Sequence, residues 1–347
     1  MPAPAAAAAH LTARGGRADP DLLLVSLGST AGLRAADADL KASLERGGAR
    51  VALAAAEPRR DRRTFALTDL AWARAARRAA RRALAAQNPR ALLYSTVTAA
   101  LLWPRPGAVR FDATAAANRP GRHGIWQRPA ERRRLRAAPL LVPATEAALT
   151  ESGLADEPAV VVPIPVEPSG PPAARDIAAL TYAADPVKKG LDRVLAAWEL
   201  ARRPGEELVV AGLAPARVAE LVGADPATAG IRAVGSLPRD QYRALLRRAR
   251  VFVTAPRRED YGAAQLEALA DGCVLVSTPA PGPYPALELA WELDPQLVSE
   301  QLGPALRVAL DEPRPAYPER AAELLSPFRR AAVDAVVAER LLPALLG

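Results

Sequence analysis

Short apolar runs alternate with helical patterns along most of the chain. The first run, residues 22–27, precedes a glycine turn and a helical pattern over 35–46, after which Gly47-Gly48 leads to a second run over 50–55. A strand, a helix and another strand joined by glycine turns are typical of a βαβ unit, in which the strands are parallel. The chain therefore begins as an α/β protein.

The alternation continues to residue 277 and is interrupted by the proline-rich stretch 165–172, which we interpret as a linker. The pattern predicts further strands over 91–94, 108–111, 140–142, 160–163, 177–183, 207–211, 231–234, 251–254 and 273–277. It predicts further helices over 69–86, 190–202, 214–222, 239–249 and 261–270. We therefore expect two doubly wound α/β domains with a ligand site in the cleft between them.

These elements divide the chain into five parts. Residues 1–20 are rich in Ala, Pro, Gly and Arg and lack the pattern of a secretory signal, so we expect a disordered tail. The other expected parts are a first domain over 21–165, a linker over 166–176, a second domain over 177–325, and a C-terminal helix over 326–347 that can pack back on the first domain.

Composition excludes several kinds of site. The chain has 347 residues, one cysteine and two distant histidines, so neither an intrachain disulfide nor a zinc site of the usual Cys/His kind can form. The longest apolar stretch, residues 91–103, contains Ser and Thr and falls short of the roughly 20 residues that a membrane-spanning helix needs. We expect a soluble protein without a structural metal.

Positive charge is concentrated in the first half of the chain. Up to residue 165 there are 25 basic and 14 acidic residues, whereas the remainder has 21 basic and 24 acidic residues. The excess indicates either an anionic partner for the first domain or simply the arginine-rich composition that a GC-rich genome produces.

Part of this charge forms a row on the predicted helix 69–86. Its members share helical spacing: Arg74, Arg77, Arg78, Arg81 and Arg82. A second cluster follows in the same half: Arg132, Arg133, Arg134 and Arg136. The clusters are either solvated helix faces or weak docking sites for an anionic membrane or acceptor. They lack interleaved aromatic residues, which disfavours nucleic acid as a partner.

The stretch most specific for function follows the predicted strand 251–254. It carries Glu259 and Gly262 in a loop and continues into a helix with Glu267. At the carboxyl edge of a parallel sheet, the start of a helix presents free backbone N–H groups to a phosphate or a hydroxyl-rich ligand. Two glutamates eight residues apart could hold different hydroxyls of one ligand, or could be solvated on a surface helix.

This stretch resembles the Glu-x7-Glu signature of glycosyltransferase family 4, the retaining glycosyl transferases group 1 with the GT-B fold. The resemblance includes Gly262 and the run Glu-Ala-Leu-Ala-Asp-Gly that begins at Glu267. Residues 162–167, Lys189-Gly190 and residues 234–238 also resemble family motifs, in the expected order. The resemblance implies two Rossmann-like doubly wound domains facing a cleft. It further implies transfer of a sugar from a nucleotide-diphosphate-sugar donor to an acceptor with retention of configuration.

The resemblance also implies roles for individual residues of the second domain. Glu267 would bind the ribose of the donor. Glu259 would bind hydroxyls of the donor sugar, helped by the backbone at Tyr261, Gly262 and Ala263. No metal or other cofactor is implied, because a fixed ammonium and a helix N-terminus can stabilise the leaving diphosphate.

Lysine would supply that ammonium. Lys189, with Lys188 beside it, would pair with the diphosphate and act in catalysis together with Glu259. These are two of only three lysines in a chain that has 43 arginines. The turn that would meet the nucleobase through its backbone consists of Val234, Gly235 and Ser236.

The chain departs from the family at Ala184, where an arginine five residues before Lys189 is usual. Either Lys188, Arg257 or Arg258 supplies the missing charge, or catalysis is weak or absent. The alternative function is therefore a non-catalytic nucleotide- or glycan-binding protein with the same fold, attached to an anionic surface through its arginines.

In the first domain, Gly28 lies in the turn where the family brings backbone close to the donor, Asp112 is a candidate catalytic residue, and His123 is a candidate on the acceptor side. Asp112 and His123 could equally be ordinary loop residues, and Asp37-Ala-Asp39 is interpreted as surface charge on a helix. We expect a cytoplasmic protein that could be peripheral on the inner membrane face. The acceptor would be a glycan, a lipid-linked molecule or a small molecule.

Overall fold

The computed structural model describes residues 19–57, 64–119 and 121–347. Within them, two five-stranded parallel sheets form two α/β domains. This confirms the α/β class and the pair of Rossmann-like domains expected from the sequence. The expected tail, residues 1–20, lies almost entirely outside the described residues.

The first sheet is built from β1 (Leu22–Ser26), β2 (Val51–Ala55), β3 (Ala91–Tyr94), β4 (Ala108–Phe111) and β5 (Leu141–Pro143). All pairings are parallel, in the order β2-β1-β3-β4-β5. Side chains of β1 alternate between the two faces: Leu23 and Val25 belong to one core, Leu22 and Leu24 to the other. The order of the strands reverses between β1 and β3, which opens a crevice at their carboxyl ends.

The helices of this domain are α1 (Ala31–Arg46), α2 (Phe65–Ala86), α3 (Val97–Ala100), α4 (Ala115–Asn118), α5 (Gln127–Arg136) and α6 (Glu146–Ser152). Trp72 and Ala76 of α2 pack on one face of the sheet, and Leu40 and Leu44 of α1 pack on the other. The sequence pattern did not predict α3 to α6, because α3 and α4 are one turn long and α5 is half arginine.

The strand predicted over residues 160–163 is wrong. This segment is extended beside β5, and the N–H groups of Val160 and Val162 donate to the carbonyls of Leu141 and Pro143, each at 2.9 Å. The pairing stops there, because the next N–H on that side, from Ile164, donates to the Tyr261 hydroxyl at 2.8 Å. The segment instead leads out of the first domain into the linker.

The second sheet is built from β6 (Ile177–Tyr182), β7 (Leu208–Ala211), β8 (Ile231–Gly235), β9 (Ala249–Thr254) and β10 (Val274–Ser277). Its parallel strands lie in the order β10-β9-β6-β7-β8, so the order reverses between β6 and β9. The surrounding helices are α7 (Leu191–Ala201), α8 (Pro215–Val222), α9 (Arg239–Arg248), α10 (Ala263–Ala270), α11 (Pro285–Leu293), α12 (Leu302–Asp311) and α13 (Tyr317–Leu324). A second crevice therefore opens where β6 and β9 end.

The C-terminal segment returns to the first domain. It comprises α14 (Arg330–Val336), a π-helical turn (Val337–Leu341) and α15 (Leu342–Leu346). Val337 and Leu341 are fully buried in one core with Leu44 of α1. Asp334 accepts hydrogen bonds from the Arg46 guanidinium at 2.7 Å. In the described part of the chain, no helix combines the length and the apolar character needed to cross a bilayer.

Candidate active site

Two loops meet at the crevice of the second sheet. One follows β6 and carries the two lysines predicted to bind phosphate; the other follows β9 and carries Glu259. The N–H of Arg257 donates to the carbonyl of Lys188 at 2.9 Å and ties the loops together. Gly190 permits this approach, because its φ is +62° and a Cβ there would lie 1.9 Å from the carbonyl oxygen of Ala255.

The Lys189 ammonium contacts the Glu259 carboxylate directly. Both side chains are largely buried, with 19% and 6% of their surface exposed. Gln265 donates to the same carboxylate oxygen at 3.3 Å, and its own amide oxygen has no hydrogen-bond partner among the described residues. A ligand that carries an anionic group and hydroxyls could replace these contacts. Its anionic group could pair with Lys189, and its hydroxyls could donate to Glu259.

Helix α10 begins immediately after this pair. Gly262 precedes its first residue with φ of +76°, and a Cβ there would lie 2.9 Å from the Tyr284 ring. The first-turn N–H groups, from Ala263 onward, therefore open beside Glu259. The Tyr261 side chain is directed elsewhere: its hydroxyl accepts the N–H of Ile164 at 2.8 Å and donates to the same residue's carbonyl at 3.0 Å. Only the backbone of Tyr261 is placed to meet a donor.

Glu267 lies two turns along α10, and its side chain is 16% exposed. It accepts from Arg239 at 2.8 Å and lies 3.5 Å from the Arg243 guanidinium. Burial, and then the charge of Glu267, raise the pKa of Tyr182, the last residue of β6. Glu267 is thus held near the end of the central strand.

The turn predicted to meet the nucleobase lies at the same carboxyl edge, at the end of β8. Gly235 has φ of +71°, and its carbonyl accepts the N–H of Gly212 at 2.8 Å. The Ser236 hydroxyl lies 3.4 Å from the Gly212 carbonyl oxygen. The predicted donor residues therefore extend along one edge of the sheet, from β9 across β6 and β7 to β8.

The three candidates for the charge missing at Ala184 are all paired with carboxylates, and Arg258 lies 3.0 Å from Asp260, which also pairs with Lys188. Arg257 pairs with a carboxylate on α7 at 2.8 Å. Arg258 reaches across to a carboxylate on α6 of the first domain, at 2.7 Å. Lys188 pairs with Asp260 at 2.7 Å, and both of these residues line the space between the domains.

That space is a cavity of about 900 Å³ walled mainly by the first domain. Gly28, with φ of +58°, turns the chain after β1 and places Ser29 and Thr30 at the wall. Asp112 follows β4 and lines the same cavity. Asp112 is exposed to the cavity. Desolvation by the surrounding protein and the charge of the Asp260 carboxylate nevertheless raise the pKa of Asp112.

Sequence reasoning missed a polar pocket in the first-domain wall. Asp69 of α2 accepts from Gln127 at 3.1 Å and from Arg119 at 3.2 Å. Glu131 of α5 accepts the N–H of Ala115 at 2.6 Å, and burial raises the pKa of Glu131 to about 7. These groups present hydrogen-bond acceptors to anything that enters the cavity.

The spacing of the polar residues on α5 is the sequence signal that could have revealed this pocket. Gln127, Glu131 and Leu135 lie four residues apart and share the buried face of α5. Two polar side chains on a face that also carries a leucine indicate buried polar groups with specific partners. The arginines around them obscured this pattern in the sequence.

The interpretation of Asp37 as surface charge is wrong. Asp37 is 3% exposed and accepts a hydrogen bond from the Ser26 hydroxyl, and burial raises its pKa. Asp39 is half-buried and pairs with Arg330 at 3.1 Å. His123 lies in the 3-10 turn Gly121–Gly124, but its side chain lies outside the described part of the structure.

Comparison with known proteins agrees with this architecture. Residues 170–290 match the family model for glycosyl transferases group 1. No curated protein sequence matches the chain significantly. The solved structure of WaaG, a glycosyltransferase involved in lipopolysaccharide biosynthesis, has 15% identity and a TM-score of 0.67, with 91% of this chain and 99% of that chain covered.

Two synthases have similar folds. Sucrose-phosphate synthase from Thermosynechococcus elongatus has 15% identity and a TM-score of 0.66, over 93% of this chain and 98% of that chain. An α,α-trehalose-phosphate synthase from Burkholderia xenovorans has 15% identity and a TM-score of 0.59, over 82% and 77%. The family match spans Lys189, Glu259 and Glu267, and the family and fold together support glycosyl transfer. The chain therefore has the GT-B fold, and residues 170–290 of its second half match the family model for glycosyl transferases group 1.

Proposed function

We propose that this chain transfers a sugar from a nucleotide-diphosphate-sugar donor to an acceptor, with retention of anomeric configuration and without a metal ion. The observation that carries the proposal is the buried Lys189–Glu259 pair at the reversal point of the second sheet, next to the start of α10. A cation, a carboxylate and free backbone N–H groups at one point suit a ligand that carries both phosphate and hydroxyls.

The donor half of the site follows from these groups. Lys189 and the N-terminus of α10 would hold the diphosphate, since both present positive charge at the same edge of the sheet. Glu259 would exchange its contact with Lys189 for hydroxyls of the donor sugar, and Glu267 would accept from the ribose. As the bond from the anomeric carbon to the diphosphate breaks, these fixed groups stabilise the charge that develops on the leaving oxygen.

The acceptor would occupy the first-domain part of the cavity. Its hydroxyl attacks the anomeric carbon from the face that the diphosphate leaves, and the leaving phosphate oxygen takes the hydroxyl proton, so configuration is retained. Asp112, at the cavity wall, would position that hydroxyl. The acceptor would be a glycan, a lipid-linked molecule or a small molecule.

We extend the proposal to location. The one cysteine, Cys273, is unpaired and buried, which suits a reducing cytoplasm. The arginine row on α2 suits weak attachment to an anionic membrane face.

Calorimetry with UDP, GDP, ADP and dTDP tests the proposal. Glu267→Gln should weaken binding of the preferred nucleotide by about 1.5–3 kcal/mol, because a neutral amide replaces a charged acceptor. The matched control is Glu199→Gln, an exposed position on α7, which should bind like the wild type. Unchanged affinity in folded Glu267→Gln would remove Glu267 from the site.

The second candidate is a non-catalytic nucleotide-binding protein, favoured by the exposed Ala184 in the loop after β6. It differs from the enzyme in one measurable respect. A protein that binds nucleoside diphosphates but neither transfers nor hydrolyses any nucleotide sugar would support this candidate. Release of nucleoside diphosphate from a nucleotide sugar would support the enzyme.

A further inference from the structure

Arg110 is a buried cation without a partner. It lies on β4, is 5% exposed, and lines the cavity between the domains. Among the described residues, no hydrogen bond or ion pair involves its guanidinium. A buried charge is normally paired, and a guanidinium has five N–H donors to satisfy. An unpaired guanidinium at a cavity wall therefore indicates an anionic ligand.

The neighbouring carboxylates do not neutralise Arg110 by contact. Arg110 lowers the pKa of Asp112 and of Asp37 through space, against the burial that raises both. Neither carboxylate lies within the 4.0 Å of an ion pair, and one oxygen of Asp37 is already bound by the Ser26 hydroxyl. The donors of Arg110 thus remain available to a ligand.

The lysines of the second domain differ in this respect. Lys188 is paired with Asp260 and Lys189 with Glu259, so their charges are balanced before any ligand arrives. Lys188 also acts electrostatically on Asp112, as Arg110 does. Arg110 and Lys188 therefore line the same cavity from opposite domains, and both act on Asp112.

We propose that Arg110 is the first-domain cation that binds the donor diphosphate, and that it replaces the positive charge absent at Ala184. This inference rests on the proposed function, because it assumes a nucleotide-diphosphate donor in the cleft. The planar guanidinium can donate to two oxygens of one phosphate, which suits a diphosphate better than the point charge of a lysine does. The donor would then be held by both domains.

The test compares Arg110→Gln and Arg110→Lys with the wild type by calorimetry, using UDP, GDP, ADP and dTDP and the corresponding nucleosides. Arg110→Gln should lose about tenfold or more in affinity for the preferred nucleoside diphosphate and nothing for its nucleoside. Arg110→Lys, which keeps the charge, should fall in between. Arg78→Gln, on the exposed face of α2, is the matched control and should bind like the wild type.

A second-site variant tests the link to Ala184. Adding Ala184→Arg to Arg110→Gln should restore most of the lost diphosphate affinity, because the new cation approaches from the second domain. A double variant as weak as Arg110→Gln would overturn the compensation.

Three results would overturn the assignment of Arg110. Equal diphosphate affinity in the wild type and Arg110→Gln would do so. So would loss of glucose 6-phosphate binding in Arg110→Gln with diphosphate binding intact, since Arg110 would then serve an anionic acceptor. A wild-type protein that binds no nucleotide refutes the proposed function and this inference together. The wild-type measurement alone therefore separates failure of the proposed function from failure of the Arg110 assignment.

Discussion

The two adjacent lysines after β6 have different surroundings. Lys189 contacts the buried Glu259, whereas Lys188 pairs with Asp260 and is 40% exposed. Fixed charges act more strongly where water is excluded, so we expect Lys189→Ala to lower turnover of a nucleotide sugar by roughly 100-fold. Lys188→Ala should lower it much less. Steady-state kinetics on the two variants checks this.

Other results of that experiment are equally informative. If both variants lose the same activity, Lys188 carries part of the charge missing at Ala184. If neither variant loses activity, the assignment of the diphosphate to this loop is contradicted.

Glu131 predicts a pH dependence of stability. Burial raises its pKa from 4.5 to about 7, so the folded state holds this proton more tightly than the unfolded state does. The resulting stabilisation is fully present below the unfolded pKa and is lost as the pH rises through the folded pKa. Glu131→Gln keeps an acceptor for the N–H of Ala115 and has no charge to bury.

We therefore expect Glu131→Gln to be more stable than the wild type at pH 8, by up to roughly 3 kcal/mol, and equally stable at pH 4. Urea unfolding at the two pH values measures the difference. Parallel pH profiles for the two proteins would show that the pKa of Glu131 is the same in the folded and unfolded states.

Among the helices, α2 has the arginine row that its sequence pattern predicts. Four of its members are exposed, and Arg77 is half-buried. We predict weak, reversible binding to anionic liposomes at roughly 1 kcal/mol per engaged arginine. The binding should be lost at about 0.5 M salt, where the Debye length falls well below 10 Å. Neutral liposomes should not bind.

Replacing Arg77, Arg78 and Arg81 together with Gln should abolish co-sedimentation and leave nucleotide affinity unchanged. A wild-type protein that ignores anionic liposomes even at low salt would contradict membrane attachment. The second cluster is less available, because Arg134 donates to the Leu101 carbonyl at 2.9 Å and lies 5.0 Å from the Trp103 ring centre.

Over the whole molecule, the last helices join the second half of the chain to the core of the first domain. Leu341 is fully buried there. Leu341→Ala should lower the free energy of unfolding by about 2–5 kcal/mol, because it leaves a cavity between the C-terminal segment and the first sheet. Leu200→Ala, at a leucine that is 79% exposed on α7, should leave it unchanged.

Denaturant unfolding measures both variants. Because Leu341 lies far from the second sheet in the fold, nucleotide affinity measured in folded Leu341→Ala should equal that of the wild type. A stability equal to that of the wild type would mean that the C-terminal segment does not contribute to the first-domain core in solution.

Local patterns were sufficient to predict the two parallel sheets and the loop that carries Glu259 and Gly262. Apolar runs, glycine turns and helical spacing reflect the conformational preferences of neighbouring residues, which are present before the chain folds. The carboxyl end of a strand, and hence the position of Lys189 after β6, follows from the same short-range information.

Only the folded chain showed which side chains are buried together or face the cleft. Asp37 looked like surface charge until α1 packed it against the end of β1, and Arg110 looked like one of 43 arginines until β4 placed it in the cavity wall. The pocket around Glu131 likewise joins helices from separate segments. Burial and pairing of a polar side chain depend on segments remote in sequence, and the spacing of residues in one element does not specify which remote segment will pack against it.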